Sequence, residues 1–245
     1  MPAAAAFADL LAELGTDVDA VAKELEVYAA GAPPPGYSLD VEVAGVLATA
    51  QERGWDRFHL VGYSGGASVA LALAASSHAE RLWSLALLEP AWAGNWDDAS
   101  PAHQALWPEY ARLAALPAQE SMAAFVRMQL RPGVAPPAPP AAPPPSWMAR
   151  RPEGIRAIIN AFRTYDLHRD ALRRFDRPVY FALGALSNPD QFGEEAERLA
   201  RVFGDFWIQV FPHRHHFDPP HRAEAPALAA SLRSLWQRSE TAVDL

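Results

Sequence analysis

The feature that most constrains the fold of this chain lies between residues 57 and 75, where an apolar strand turns directly into a helix. Residues 58–61 are typical of a short buried strand, and residues 67–75 of a helix with almost no polar face. Residues 62–66, with the sequence Gly-Tyr-Ser-Gly-Gly, join them. Because the crossover from strand to helix is so short, the segment predicts an α/β chain with Ser64 at the apex of a tight bend.

This bend predicts a nucleophile elbow, in which backbone strain exposes a reactive serine hydroxyl. The N-terminus of the following helix would point at a developing oxyanion, with the Gly65 N–H as one donor. Side chains at Gly62 and Gly66 are expected to collide where helix and strand pass closely. A glycine-rich turn with an incidental serine is the structural alternative. The buried strand and the Ala/Leu/Val helix on either side favour the elbow.

Composition narrows the class of protein further. A chain of 245 residues, half of them hydrophobic, is long enough for one large α/β domain. The formal charge of −8 and the absence of a Lys/Arg run argue against a nucleic-acid partner. The chain has no cysteine, which excludes disulfides and thiolate metal sites. Without a signal-like N-terminus or about eighteen consecutive apolar residues, neither secretion nor a membrane is expected, and the predicted location is cytoplasmic.

The rest of the chain alternates between the two kinds of element. Further strands are predicted at residues 83–88, 178–184 and 206–211, and another in the mixed run 20–28. Helices are predicted at residues 7–14, 39–53 (capped by Ser38), 189–203 and 223–238. Strands separated by short helical crossovers predict a mostly parallel sheet with helices on both faces.

Residues 91–170 differ in character and are predicted to form a helical, proline-rich insert. Helical patches at 103–116, 120–130 and 155–165 surround a proline tract at 131–147 that is expected to form neither helix nor sheet. The insert carries many aromatic residues, which either form its own core or line a substrate cavity beneath a lid. Residues 1–90 and 171–245 would then form the α/β core, with the insert as its cap.

This order of parts resembles the α/β-hydrolase superfamily. The elbow serine comes first, a helical insert interrupts the sheet, and a histidine-rich loop separates the last strand from the last helix. The segment 33–40, Pro-Pro-Pro-Gly-Tyr-Ser-Leu-Asp, is similar to the one that leads into the helix before the elbow in that family. The resemblance covers residues 7–90 and 175–240, and the insert is similar to the family's cap domains only in kind.

The resemblance implies a catalytic histidine just beyond the last strand. Four histidines lie there: His213, His215, His216 and His221. His216 fits best, because an apolar residue and a proline-containing loop follow it, and His215 is the alternative. A metal site is the competing interpretation of so many histidines. No carboxylate or thiolate stands at ligand spacing, so neither a metal nor a cofactor is expected.

The acid of such a triad has two candidates. Most of the family place an Asp after the strand that corresponds to residues 179–184, where this chain has no carboxylate until Asp190. Asn188-Pro189-Asp190 also suits an ordinary helix start, which explains Asp190 structurally. Glu89 ends the strand after the elbow helix, a position from which some members of the family supply the acid. We therefore predict Glu89, with Asp190 as the alternative.

The chain departs from the family pattern at its beginning, where the first strands and the loop that supplies a second oxyanion donor are not found. This absence would leave a gap beside the elbow strand. Three explanations are open: the natural protein is longer, the predicted strand at 20–28 pairs with the elbow strand, or a second subunit covers the edge. The last would make the protein a homodimer.

The predicted function is that of a serine hydrolase acting on an ester or related carboxylic acyl bond of a small, apolar substrate. Ser64 would attack, His216 would transfer the proton, Glu89 would orient His216, and the Gly65 N–H would stabilise the oxyanion. Two alternatives are a non-catalytic protein that binds a small ligand or a partner chain in the same cavity, and a lyase or C–C bond hydrolase using the same triad. The sequence does not identify the substrate.

Overall fold

A computed structural model describes residues 1–113, 115–138 and 145–241. Its four parallel strands are β1 (Phe58–Tyr63), β2 (Leu82–Leu88), β3 (Val179–Gly184) and β4 (Phe206–Phe211). They lie in the order β1-β2-β3-β4, so that β1 and β4 form the two edges of this sheet. The α/β fold with a parallel sheet is confirmed, and all four strands end at the same edge, where their loops meet.

Helices connect and cover these strands. Their bounds are α1 Ala3–Ala6, α2 Ala8–Leu14, α3 Glu26–Ala29, α4 Leu39–Glu52, α5 Gly65–Ala74, α6 Pro101–Leu113, α7 Ala118–Met128, α8 Arg151–Thr164, α9 Arg169–Arg173, α10 Glu194–Ala200, α11 Pro220–Ala223 and α12 Ala225–Thr241. Short 3₁₀ segments lie at Ala79–Arg81 and Ser146–Arg150, and a wide π-type turn at Pro189–Gly193 precedes α10. Within the described ranges, no helix combines the length and the apolar character needed to cross a membrane.

The core has two layers because side chains of the central strands alternate between the faces of the sheet. Leu85, Leu87 and Phe181 point to the face covered by α4, α5 and α10. Leu88 and Tyr180 point to the opposite face, against α2 and α12. Both central strands are almost fully buried, which explains their continuous apolar sequence.

The strand predicted at residues 20–28 is wrong. Residues 19–25 have no regular structure, and α3 follows. The fully buried carboxylate of Glu42 explains the difference, because it accepts hydrogen bonds from the backbone N–H groups of Glu26 (2.8 Å) and Val27 (3.0 Å). Those groups are therefore held at a helix start and are not available to a β-ladder. Among the described residues, β1 consequently pairs with β2 alone.

The start of α4 agrees with the sequence except for its cap. The helix begins at Leu39 as predicted, but the Ser38 side chain makes no capping hydrogen bond. The predicted helix at 189–203 is divided into the π-type turn and α10.

Helices α6, α7 and α8 lie between β2 and β3 and coincide with the three helical patches predicted for the insert. Residues 132–138 of the proline tract form neither helix nor strand, as expected, and residues 139–144 lie outside the described part of the chain. Some aromatic residues of this region form a core. Trp92, for example, is buried and stacks on Phe162 with ring centroids 5.3 Å apart.

Candidate active site

Ser64 occupies the bend between β1 and α5 in a strained backbone conformation. Its φ of 54° and ψ of −121° are unusual for a residue with a side chain. A Cβ at Gly62 would lie 2.5 Å from the Ala67 Cα, so only glycine allows the helix to pass this close to the strand. The same expectation for Gly66 is wrong, because a Cβ there would meet nothing within 4 Å. Gly66 borders a cavity and does not face the strand.

Three side chains from distant parts of the sequence meet at this bend. His216 Nε2 lies 3.0 Å from Ser64 Oγ, and His216 Nδ1 lies 3.0 Å from Glu89 Oε2. His216 follows β4 and Glu89 follows β2, so the carboxyl edge of the parallel sheet brings them together. His216 and Glu89 are buried, whereas Ser64 is partly exposed to the cavity. The arrangement is a continuous hydrogen-bond chain from a hydroxyl through an imidazole to a carboxylate.

The Glu89 carboxylate is fixed from its other side by the backbone. Its Oε1 accepts a hydrogen bond of 2.7 Å from the N–H of Gly184, the last residue of β3. With Oε2 directed at His216, Nδ1 carries the proton and Nε2 is free to accept the proton of Ser64. Glu89 itself has a φ of 45°. Ser64 and Glu89, at the two ends of the hydrogen-bond chain, therefore both follow a strand directly and both have a strained backbone.

The imidazole ring is held by its aromatic neighbours. It stacks on Phe192 with centroids 4.5 Å apart and planes 14° apart, and Tyr63 packs beside it at 5.1 Å. The Tyr63 hydroxyl donates a hydrogen bond to the His216 backbone carbonyl. Burial raises the pKa of Tyr63 above its usual range, so the hydroxyl keeps the proton that it donates. The ring can therefore turn very little.

Comparisons with known proteins identify the fold. No family model and no curated protein matches the chain. Several solved structures do match. The esterase EaEST from Exiguobacterium antarcticum is 16% identical, with a TM-score of 0.67 over 96% of this chain and 88% of the esterase. The enol-lactonase from Burkholderia xenovorans LB400 is 18% identical, with a TM-score of 0.63 over 96% of this chain and 87% of the enol-lactonase. NosK from Streptomyces actuosus is also similar, with 16% identity and a TM-score of 0.66 over 98% of this chain and 94% of NosK. The chain has the α/β-hydrolase fold.

Within this α/β-hydrolase fold, the two alternative candidates do not join the hydrogen-bond chain. His215 turns its Nδ1 toward the backbone N–H groups of Phe217 and Asp218, at 3.2 and 3.1 Å. Asp190 is exposed, and its N–H donates to the Asn188 side chain at 3.0 Å. It therefore has the helix-start role that its sequence suggested.

The other two histidines also take no part in this hydrogen-bond chain. His213 is exposed, while His221 is fully buried and stacks on Phe7 with centroids 4.5 Å apart. Neither ring nitrogen of His221 has a hydrogen-bond partner among the described residues, and burial lowers its pKa to about 3. The described part of the chain contains no group of three His, Asp or Glu side chains arranged to hold a metal ion.

Sequence reasoning missed Gly184 and Phe192. A Cβ at Gly184 would lie 2.6 Å from the Arg214 carbonyl oxygen and 3.1 Å from Glu89 Oε1, so glycine is needed for the contact with the carboxylate. A glycine ending a predicted strand was the available signal for the first. Nothing in the sequence singled out Phe192, because its π-type turn looked like ordinary helix.

The predicted oxyanion donor occupies the first position of α5. The Gly65 N–H belongs to the first helical turn, whose N–H groups have no acceptor within the helix. A Cβ at Gly65 would lie 3.6 Å from Leu25 and 3.7 Å from Ile158, so apolar side chains enclose this position. In the described residues no strand precedes β1, so a second donor from a strand-end loop is not found there.

A cavity of about 1620 Å³ opens above Ser64 and His216. Its walls are largely apolar and include Leu25, Trp107, Phe125, Ile158 and Phe217. It also continues along the open edge of β1, past Leu60. The volume exceeds the roughly 300–1000 Å³ of most ligand pockets. Aromatic residues of the insert thus contribute both to a core and to the cavity.

A buried polar network joins the insert to the core beside this cavity. The Tyr110 hydroxyl of α6 donates to Gln191 Oε1 and accepts from Gln129 Nε2. Gln191 in turn donates to the Ala91 carbonyl at 3.1 Å. The network therefore connects α6, the end of α7 and the π-type turn before α10 with the loop that follows Glu89.

Proposed function

We propose that the protein is a serine hydrolase that cleaves an ester or related carboxylic acyl bond of an apolar substrate. The observation that carries the proposal is the hydrogen-bond chain Ser64–His216–Glu89, with 3.0 Å at each link. A serine at a strained elbow, an imidazole on its hydroxyl and a buried carboxylate on the far nitrogen together form a base-activated nucleophile.

In the proposed reaction, His216 Nε2 removes the proton of Ser64 as Oγ attacks the substrate carbonyl. The negative charge that forms on the carbonyl oxygen is stabilised by the Gly65 N–H at the start of α5. The imidazolium, held by Glu89, then protonates the leaving alcohol, and an acyl-enzyme forms. A water molecule activated by His216 reverses these steps and releases the acid.

An apolar substrate is supported by the largely apolar walls beside Ser64 and His216. The lining of the cavity also includes charged residues such as Lys23, Glu24, Arg151 and Arg222. The predicted small size has less support. A small ester would fill only part of about 1620 Å³, so substrates larger than simple acetates also fit.

Labelling with a fluorophosphonate probe tests the proposal. The wild-type protein should be labelled once, at Ser64, and should hydrolyse p-nitrophenyl acetate. Ser64→Ala should lose both properties while keeping its circular dichroism spectrum and melting temperature. A folded wild-type protein that is neither labelled nor active on p-nitrophenyl esters of any chain length would refute the enzymatic function.

A non-catalytic, ligand-binding protein is the second candidate. It is favoured by one observation: among the described residues no strand precedes β1 to supply a second oxyanion donor. Losing one such donor typically costs about 3 kcal/mol of transition-state stabilisation. On this alternative, a ligand would raise the melting temperature of wild type and of Ser64→Ala equally, without turnover.

A further inference from the structure

The strand β4 forms an edge of the sheet that lacks the usual protection against pairing. Within the described part of the chain it pairs with β3 alone, through six consecutive residues with no bulge. Its sequence, Phe-Trp-Ile-Gln-Val-Phe, contains no charged residue, proline or glycine. Exposed edges are normally blunted by charges, proline, bulges or a covering segment, because their free N–H and C=O groups accept another strand.

One face of β4 is apolar and uncovered. Trp207 and Gln209 point toward α12, where Tyr180 packs on Trp207 and donates to Gln209. The alternate residues Ile208 and Val210 point to the other face and are 37% and 51% exposed. Two neighbouring β-branched side chains are thus open to solvent on a strand edge that has no partner among the described residues.

The other edge of the sheet differs. The side chains of β1 are buried or half-buried, and the register of β1 against β2 is irregular between Phe58 and His59. The β1 edge also lies within the cavity described above. Among the described residues, a regular edge with exposed side chains is therefore found at β4 and not at β1.

We propose that β4 pairs with β4 of a second copy of this chain, antiparallel and around a two-fold axis, to form a continuous eight-stranded sheet. A two-fold axis perpendicular to the sheet keeps each face continuous, so facing residues must lie on the same face of the strand. Centring the axis on Gln209 satisfies this condition. Ile208 then faces the partner's Val210, which covers both exposed side chains with each other.

Hydrogen-bonding groups at the two ends of β4 suit this register and an identical partner. With Gln209 on the axis, Asp205 lies opposite the partner's His213. Asp205 already accepts two hydrogen bonds from Arg238, and His213 is exposed. A carboxylate before β4 then meets an imidazole after β4 that can donate a hydrogen bond to it when the strand meets itself in reverse.

Sedimentation velocity over a range of protein concentrations tests the pairing. The wild type should sediment as a species of twice 26.7 kDa, and Val210→Lys should sediment at 26.7 kDa with an unchanged circular dichroism spectrum. Val21→Lys is the matched control, because Val21 is also apolar and 45% exposed but lies far from β4 in the sequence and outside the sheet. It should leave the dimer intact. A monomeric wild type, or a dimer that survives Val210→Lys, would overturn the proposal.

Cross-linking tests the register separately. The chain has no cysteine, so introduced thiols are the only ones present. Ile208→Cys/Val210→Cys should form an interchain disulfide on mild oxidation, since facing residues of antiparallel strands lie close enough for one. Val21→Cys should form no interchain disulfide under the same conditions, as non-reducing denaturing gel electrophoresis would show. Failure of the double variant to cross-link, in protein that sediments as a dimer, would refute this register.

Discussion

At the scale of single residues, the site depends on three side chains whose hydrogen bonds run in one direction. Ser64 can donate only if His216 Nε2 is unprotonated, and Glu89 secures that state by accepting from Nδ1. The Gly184 N–H fixes the far oxygen of the same carboxylate. Each member thus sets the proton position of the next, and the loss of any one should affect all of them.

Substitutions in this chain should separate the two candidate acids and the two candidate bases. Ser64→Ala and His216→Asn should lower kcat by about 10⁴-fold or more, and Glu89→Gln by about 10⁴-fold. The controls Asp190→Asn and His215→Asn should leave kcat nearly unchanged. Steady-state kinetics with a p-nitrophenyl ester provides the measurement. Equal losses in Glu89→Gln and Asp190→Asn would contradict the assignment of the acid.

The two glycines beside the elbow should behave differently. Gly62→Ala places a Cβ 2.5 Å from backbone atoms of α5, and we expect it to cost about 3 kcal/mol or more of unfolding free energy. Gly66→Ala meets open space in the first turn of the helix and should be neutral or stabilising by about 0.5–1 kcal/mol. Urea denaturation of both variants measures the difference. A similar loss in both would contradict the packing described here.

At the scale of elements, the four strands were predictable because each is a compact apolar run that ends in glycine, proline or a charged residue. Ser64 could be predicted from the strand–turn–helix pattern of the elbow, and His216 and Glu89 from their positions just after predicted strands. The false strand at residues 20–28 shows the limit. Its mixed apolar pattern was overruled by the Glu42 carboxylate, which lies 15 residues or more away in the sequence. Hydrogen bonds between residues far apart in the sequence, such as the one between Gly184 and Glu89, leave no signal in the local sequence pattern.

The insert should depend on the Tyr110 network for its attachment to the core. Tyr110→Phe leaves the buried groups of Gln191 and Gln129 without their shared partner, which should cost about 1–3 kcal/mol. Because the network borders the cavity, KM should rise more than kcat falls. Tyr165→Phe is the control, since its hydroxyl makes an exposed bond to Asp40 and should contribute less than about 1 kcal/mol. Chemical denaturation and ester kinetics test both variants.

At the scale of the whole molecule, His221 should make stability depend on pH. Burial lowers its pKa from 6.5 to about 3 in the folded state, so between these values the unfolded chain binds a proton that the folded chain does not. Its contribution to stability is therefore complete above pH 6.5 and is lost as the pH falls toward 3, at up to about 1.4 kcal/mol per pH unit.

Replacing the His221 ring should make the melting temperature less dependent on pH below pH 7. His221→Phe keeps the aromatic contact with Phe7 and removes the titrating group, so its melting temperature should fall less than that of wild type between pH 7 and pH 4.5. His78→Phe, at an exposed site far from β4 in the sequence, should follow the wild-type profile. Parallel profiles for wild type and His221→Phe would show that other groups govern acid unfolding.

Because β1 lies at an edge of the sheet, we expect the segment that holds Ser64 to unfold before the central strands do. Ser64 directly follows β1, which among the described residues pairs on one side only, whereas Glu89 follows β2, which is flanked on both sides. Marginal strands fray at a lower free energy than central ones. On warming, we expect amide hydrogen exchange to accelerate in β1 before β2 and β3, and heat inactivation to precede global melting. The reactive hydroxyl would then be lost to disorder while most of the molecule is still intact.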